Sequence, residues 1–384
     1  MARTRFALVA LGSCLLFVAP ADAQVYRSAL HDFRLVPVAE GLVTPWSMAW
    51  LPNGDMLVTE RPGRLRIVRD GALLPDPVPG IPKVHARGQG GLLDVQPHPD
   101  FRNNHLLYIT FSKPLPDDQS TTALIRGTFE NDALTNVEEL FEAVARGRNG
   151  HYGSRIAFSE GYVFISAGDR QAPSTGNLEE HPAQDRSNHH GVIIRLHDDG
   201  RIPADNPFIG EDGVRPETWS YGHRNPQGLG IHPETGDLWA NEHGPQGGDE
   251  LNLIQPGRNY GWPVIGYGVN YESGSTIHVG TMRESMEHPV YFWVPSIATS
   301  GLMVYTGQRF PAWNGNVFVG GLAGLQLARL TLDGQTVVAE ETLIQGFGRV
   351  RDVRQGPEGD IYIAIENRRG ARTAVYRLEP AGGR

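Results

Sequence analysis

Met48-Ala-Trp-Leu-Pro-Asn-Gly-Asp-Met-Leu-Val58 sets an alternating strand against a second run of strand formers across a Pro-Asn-Gly-Asp turn, the pattern of a β-hairpin. The pattern recurs as Leu93-Asp-Val-Gln-Pro-His-Pro-Asp100 leading to Leu106-Leu-Tyr-Ile-Thr110, and as Ile156-Ala-Phe-Ser-Glu-Gly-Tyr-Val-Phe-Ile-Ser166. It returns at Leu229 to Ala240, at Met303 to Tyr305 with Asn316 to Val319, and at Val353 to Ala364. One such hairpin cannot bury both of its faces, whereas radial packing of four-stranded units does so and leaves only short edges exposed. The 47 glycines and 28 prolines are spread evenly, and no run keeps a helical period, so helices should be few and short. The expected fold is therefore all-β, a six-bladed β-propeller of four-stranded antiparallel blades. At roughly 60 residues per blade there is a surplus over a simple propeller, and it must sit in loops. Two segments hold most of it, Asp169 to His190 and Glu242 to Pro289. Long ordered insertions are commonly functional.

Arg3 and Arg5, the apolar run Phe6 to Ala19 and the small-residue pattern Ala21-Asp22-Ala23 read as an export signal. Residues 1–23 are expected to be a signal peptide and residues 24–384 the propeller, placed in the periplasm or secreted. No later run approaches the roughly 20 apolar residues of a membrane-spanning helix. The sole cysteine, Cys14, falls within the signal, so the mature chain has no disulfide, thiolate metal site, iron–sulfur cluster, c-type haem or cysteine nucleophile. A net charge of -9, with Lys83 and Lys113 the only lysines, argues against a nucleic-acid partner.

Neither Gly88-Gln-Gly-Gly91 nor Gly320-Gly-Leu-Ala-Gly324 has the spacing or context of a dinucleotide fingerprint. The nucleophile-elbow and His-Glu-x-x-His signatures of hydrolases are absent. Asn241-Glu-His-Gly-Pro-Gln-Gly-Gly-Asp-Glu-Leu-Asn, continuing to Trp262-Pro263, crowds carboxylates, carbonyl-exposing glycines and aromatics into what reads as one loop. Such a loop suits calcium, a hard cation that takes oxygen ligands, and equally a solvated acidic loop. His151, in Gly150-His-Tyr-Gly-Ser-Arg, precedes an inner-strand pattern from which its ring could enter the funnel and accept a proton. A structural histidine would look the same. Tyr221-Gly-His-Arg-Asn-Pro-Gln-Gly228 sets Arg224 beside Asn225, and Gly348-Arg-Val-Arg-Asp352 puts Arg349 and Arg351 on one strand face. If these guanidiniums converge they suit a polycarboxylate; otherwise they are scattered surface charge.

Taken in order, Pro45-Trp-Ser-Met-Ala-Trp50, Thr59-Glu-Arg-Pro-Gly63, Gly88-Gln-Gly-Gly-Leu-Leu93 with His98-Pro-Asp-Phe101, the Arg224 string, the calcium-like segment and Gly348-Arg-Val-Arg-Asp352 resemble the soluble aldose sugar and glucose dehydrogenases. The resemblance covers nearly all of the mature chain. It implies a pyrroloquinoline quinone (PQQ) held against calcium at the funnel mouth, with an aldose as substrate. It implies His151 as the base that takes the anomeric proton while hydride passes to the quinone, with calcium and Arg224 stabilising the developing charge and a lactone as product. It further implies Gln89, Arg224, Asn225, Arg349 and Arg351 as cofactor-binding residues, the carbonyls of Gly244 and Pro245 as ligands of the cofactor's calcium, and Glu250 and Tyr260 as ligands of a structural calcium. An external quinone or cytochrome would reoxidise the cofactor, and the protein would be a monomer or a homodimer. Two positions depart from the family pattern: Gly321-Leu-Ala323 stands where relatives often have Ser-Leu-Lys, and Gly150 where some have aspartate. The competing readings are a calcium-dependent propeller lactonase and a non-catalytic carbohydrate-binding propeller.

Overall fold

The computed structural model describes residues 24–382. The expected signal, residues 1–23, lies outside them. The described chain forms six antiparallel sheets, and its helices are one short α-turn at Phe101–Asn104 and three 3-10 turns. Blade I contains Pro45–Trp50, Met56–Glu60, Arg64–Arg69 and Ala72–Leu73; blade II contains Leu92–Pro97, Leu106–Pro114, Ser120–Glu130 and Ala133–Glu142. Blade III contains Ile156–Ser159, Tyr162–Ala167, Val192–His197 and Thr218–Tyr221; blade IV contains Pro226–Ile231, Leu238–Glu242, Asp249–Ile254 and Tyr291–Trp293. Blade V contains Thr299–Val304, Val317–Gly321, Gln326–Asp333 and Thr336–Gln345. This is the expected six-bladed propeller, and the repeated hairpin is the inner pair of strands of every blade.

Blade VI is assembled from both ends of the fold. Arg349–Gln355, Ile361–Glu366 and Arg372–Pro380 are joined by Phe33–Val43, which pairs antiparallel from Phe33 opposite Pro380 to Val43 opposite Arg372. Val25–Tyr26 adds a short fifth strand. The ring cannot open without breaking this pairing. The hairpin repeat gave no sign of it, because Phe33–Val43 carries Pro37 and Gly41, and register shifts at Pro37/Ala39 and Glu40/Leu42 accommodate them.

Each gap between neighbouring blades holds its own apolar cluster. Leu57, Leu65, Leu92 and Ile109 fill the I–II gap, and Phe33, Phe310, Trp313, Phe318 and Ile363 fill the V–VI gap. Each fully buried side chain of this size stabilises by about 1.5–3 kcal/mol. Strands buried on both faces explain the continuous runs of Val, Ile and Leu.

The axis is closed by charge rather than by apolar packing. Arg155 approaches Asp352 at 3.0 Å and Asp94 at 3.6 Å, and Arg354 reaches both carboxylates at 3.0 Å. Asp94 also accepts from the Ser47 hydroxyl and the Ile156 amide, and Asp352 accepts from the Met48 amide. Arg155 Nε donates to the Gln227 carbonyl at 2.7 Å. A Cβ on Gly301 would lie 2.3 Å from Asp352 Oδ1, so the blade V inner strand needs glycine there. All six inner strands thus meet at one ion-pair plug.

Candidate active site

Above the plug, at the end where the inner strands begin, a cavity of about 1100 Å3 opens. Gln89, His151, Pro245, Arg224, Arg349 and Arg351 line it, with Trp46, Tyr152 and Trp262 as aromatic walls. The structure therefore brings these sequence-selected residues together. Asn225 sits behind the wall: its Oδ1 accepts from the Gly153 amide and Gln227 Nε2, while its Nδ2 is buried without a protein partner.

His151 occupies a left-handed backbone conformation at φ 50°, which is unusual for a residue with a side chain. Its amide donates to Gln89 Oε1 at 2.9 Å. Gly168 admits the close approach, since a Cβ there would lie 2.4 Å from the His151 carbonyl oxygen. The ring is 6% exposed, and its Nδ1 lies 2.6 Å from Oδ1 of Asp169. Asp169 is held in turn by Trp262 Nε1 at 2.8 Å and the Gln171 amide at 2.8 Å. A carboxylate on Nδ1 fixes the tautomer with a proton on that nitrogen and leaves Nε2 as the lone pair toward the cavity. Burial pushes the His151 pKa down, Asp169 opposes this, and Arg224 adds to it. Burial raises the Asp169 carboxyl, but the His151 ring, their hydrogen bond and Arg224 outweigh it and hold the group below the ordinary range. The outcome is a neutral imidazole beside an ionised carboxylate.

Arg224 is positioned by Glu242, whose Oε2 accepts from the Arg224 amide at 2.6 Å. Glu242 Oε1 accepts from His223 Nδ1 at 2.8 Å and Asn252 Nδ2 at 3.1 Å. The Arg224 guanidinium donates to the carbonyls of Gly244 at 2.7 Å and His243 at 3.2 Å, and its Nε is buried and unpaired. Arg349 and Arg351 both grip Glu366, at 2.8 and 2.7 Å, and Arg351 also reaches Gln227 Oε1 at 2.9 Å. Burial raises the Glu366 carboxyl, but Arg351 and Arg349 outweigh it and bring it down to about 2.

The segment read as one acidic loop is two strands and a turn. Leu238–Glu242 and Asp249–Ile254 pair in blade IV with Glu242 opposite Glu250, and residues 243–248 connect them. The carboxylates had hidden a strand whose alternate residues, buried Leu251 and part-buried Leu253, pack into the gap between blades IV and V. Gly244, Glu250 and Tyr260 line a second cavity of about 20 Å3, behind the wall formed by Arg224, His243, Pro245 and Trp262. That volume is the size of one water or one small ion. Two carboxylates facing each other across a buried pair of strands repel, and Asn252 Nδ2, at 3.1 Å from one and 3.2 Å from the other, is the donor between them. Burial, then Glu242, pushes the Glu250 carboxyl well up, and burial raises Asp249 to about 6. The Tyr260 hydroxyl is engaged, donating to the Leu253 carbonyl at 2.5 Å and accepting from the Gln255 amide at 2.9 Å. Its main-chain carbonyl is the atom left to act as a ligand. Among the described residues no group of three or more His, Cys, Asp or Glu side chains is arranged to hold a metal. A calcium site here would be built largely from carbonyls.

Sequence reasoning missed Asp169, Trp262, Glu366, Gln171, Arg61 and Arg368, all of which line the cavity. Asp169 was visible as the first residue of a long insertion, but nothing in the chain announces its pairing with His151. Gln171 answers the departure at residue 150: a Cβ on Gly150 would lie 2.5 Å from its amide carbon, so the Gln171 side chain fills the volume an aspartate would take.

The Glucose / Sorbosone dehydrogenase family model matches residues 42–377. Aldose sugar dehydrogenase YliI of Escherichia coli is 39% identical over 371 residues, covering 94% of this chain and 95% of the relative. A crystal structure of glucose dehydrogenase superposes with a TM-score of 0.84 at 41% identity, over 91% of this chain and 99% of the other. The PQQ-bound form of aldose sugar dehydrogenase from Streptomyces coelicolor superposes with a TM-score of 0.71 at 28% identity, over 94% of this chain and 99% of the other. Fold, cavity and sequence agree: this chain belongs to the glucose/sorbosone dehydrogenase family.

Proposed function

We propose that this protein oxidises the anomeric hydroxyl of an aldose to a lactone, using calcium-bound PQQ and His151 as the base. The observation that carries the reading is the His151–Asp169 pair facing a cavity with more guanidinium than carboxylate. The cavity fits the cofactor: it combines aromatic walls with Arg224, Arg349, Arg351 and Gln89, and leaves Arg224 Nε and Asn225 Nδ2 without protein partners. The carbonyls of Gly244 and Pro245 would hold the calcium, and Glu250 with the Tyr260 carbonyl would hold a structural one.

When bound, the quinone supplies the hydride acceptor. His151 takes the hydroxyl proton at Nε2, and Asp169 stabilises the imidazolium that forms while preventing the ring from turning. Arg224, fixed by Glu242, presents its guanidinium where negative charge develops. Arg349, Arg351 and Gln89 orient the ligand through its polar edge, and Gln89 also holds the His151 backbone. Trp262 walls off the His151–Asp169 hydrogen bond from bulk water. Export through residues 1–23 and reoxidation by an external quinone or cytochrome complete the proposal, and no described helix is long and apolar enough to cross a membrane. A lactonase would leave the guanidinium excess without a purpose, and a binding module would leave the His151–Asp169 pair without one.

The test is dye-linked oxidation of a panel of aldoses by metal-stripped protein, with calcium and PQQ added singly and together. Turnover that needs both additions and vanishes in His151→Ala supports the proposal. Turnover without PQQ, or none under any addition, removes it.

A further inference from the structure

The arginines selected from sequence do not carry all of the cavity's free charge. Arg349 and Arg351 share Glu366, so that trio keeps only one net positive charge. Arg61 and Arg368 differ. Arg61 leaves the second strand of blade I and Arg368 follows the second strand of blade VI, so they flank the seam between adjacent blades. Both line the cavity, and neither has an ion-pair partner among the described residues. Arg61 donates through Nη2 to the Gly88 carbonyl at 2.6 Å, while its Nε is buried with no partner at all. Burial lowers its pKa, Arg351 and, more weakly, Arg368 add to the lowering by like-charge repulsion, and Glu366 opposes them. Arg349 feels Arg368 in the same way. A part-buried Arg61 and an exposed Arg368 at the rim, both without an ion-pair partner, leave guanidinium donors free toward the cavity, as an anion-binding site does without its anion.

We propose that Arg61 and Arg368 form a carboxylate-binding subsite at the blade VI–I seam, supplying the cation that the chain lacks at Ala323. Ala323 lines the same cavity, next to Leu322, whose carbonyl accepts from Arg349 at 2.9 Å. The ligand class is a planar polycarboxylate. Naming it as PQQ rests on the function proposed above; the subsite itself rests on the unpaired arginines.

The test is equilibrium titration of calcium-loaded protein at low salt with two probes, PQQ and benzene-1,3,5-tricarboxylate, followed by calorimetry. Arg61→Gln and Arg368→Gln should each weaken binding of both probes by about 10- to 100-fold, the range of a charge-assisted hydrogen bond. Arg61→Lys, and Ala323→Lys added to Arg368→Gln, should recover much of the loss. The ligand-free melting temperature of Arg368→Gln should match that of the wild type, which a merely structural arginine would not allow. Binding of both probes unchanged in both variants overturns the subsite and leaves the proposed function standing. Arginine-dependent binding of the tricarboxylate without binding of PQQ supports the subsite and overturns the cofactor assignment. Binding of neither probe by the wild type overturns both.

Discussion

The propeller axis carries two sets of arginines, and the ring of Trp46 lies beside both, with Arg155 4.1 Å and Arg351 5.9 Å from its centroid. In the lower set Arg155 and Arg354 are matched by Asp94 and Asp352. In the upper set Arg61, Arg224, Arg349, Arg351 and Arg368 face only Asp169 and Glu366. Residue type is the same and burial runs from Arg155 in the plug to exposed Arg368 at the rim, yet the difference in chemistry follows the carboxylates. A balanced set closes the axis and locks blades together; an unbalanced one stores positive potential at an open mouth. Balance of charge, more than the presence of arginine, separates scaffold from site.

Exchanging partners between the two sets should break the comparison unevenly. Asp169→Asn belongs to the mouth and touches His151, the proposed base, so it should show the largest effect: a fall in kcat of about 10^3- to 10^4-fold, with cofactor titration little changed. Steady-state and binding measurements on one preparation would separate the two quantities. Asp352→Ala belongs to the plug and leaves Arg155 and Arg354 short of a buried partner. Its expected cost is about 3–5 kcal/mol in urea unfolding.

Glu366→Gln sharpens the contrast, because it removes a carboxylate from a region already rich in cations. The Glu366 carboxyl is depressed to about 2 in the fold, against about 4.3 in an unfolded chain. Its contribution is therefore fully present above the unfolded value and is lost as pH falls through the folded one. Wild-type protein should lose roughly 2–3 kcal/mol over that acid window, and Glu366→Gln should lose less across it, read from denaturation midpoints at stepped pH. The smallest effect is a shift in profile. Because burial holds His151 neutral, the acid limb of kcat should fall below the ordinary histidine value of about 6.5. A limb at or above that value would show that the ring is not the buried base described here.

The fold was legible because the inner hairpin of each blade keeps its turn chemistry, as in Pro52-Asn-Gly-Asp55 and Pro233-Glu-Thr-Gly236. The blade VI closure was not, since Phe33–Val43 pairs with residues more than 300 positions away and carries no turn to mark it. The site divides in the same way. Gln89, His151, Arg224, Arg349 and Arg351 sit in motifs dense enough to be found by reading along the chain. Asp169 acquires its meaning from His151 across the first hairpin of its own blade, and Trp262, Arg61 and Arg368 from residues on other blades, while an arginine-rich composition masks the unpaired ones. Asp249–Ile254 shows the opposite error, in which a segment opening with Asp249 and Glu250 looked like a loop because its carboxylates depart from the usual strand alphabet.

The most direct test of the central claim is a single-turnover experiment with calcium and PQQ loaded into wild-type protein and into His151→Ala, mixed with an aldose deuterated at C1. If His151 is the base, the bound cofactor is reduced rapidly in the wild type with a primary isotope effect, and the equally loaded variant is not reduced. Equal reduction rates in the two proteins, or no reduction in the wild type, would contradict it.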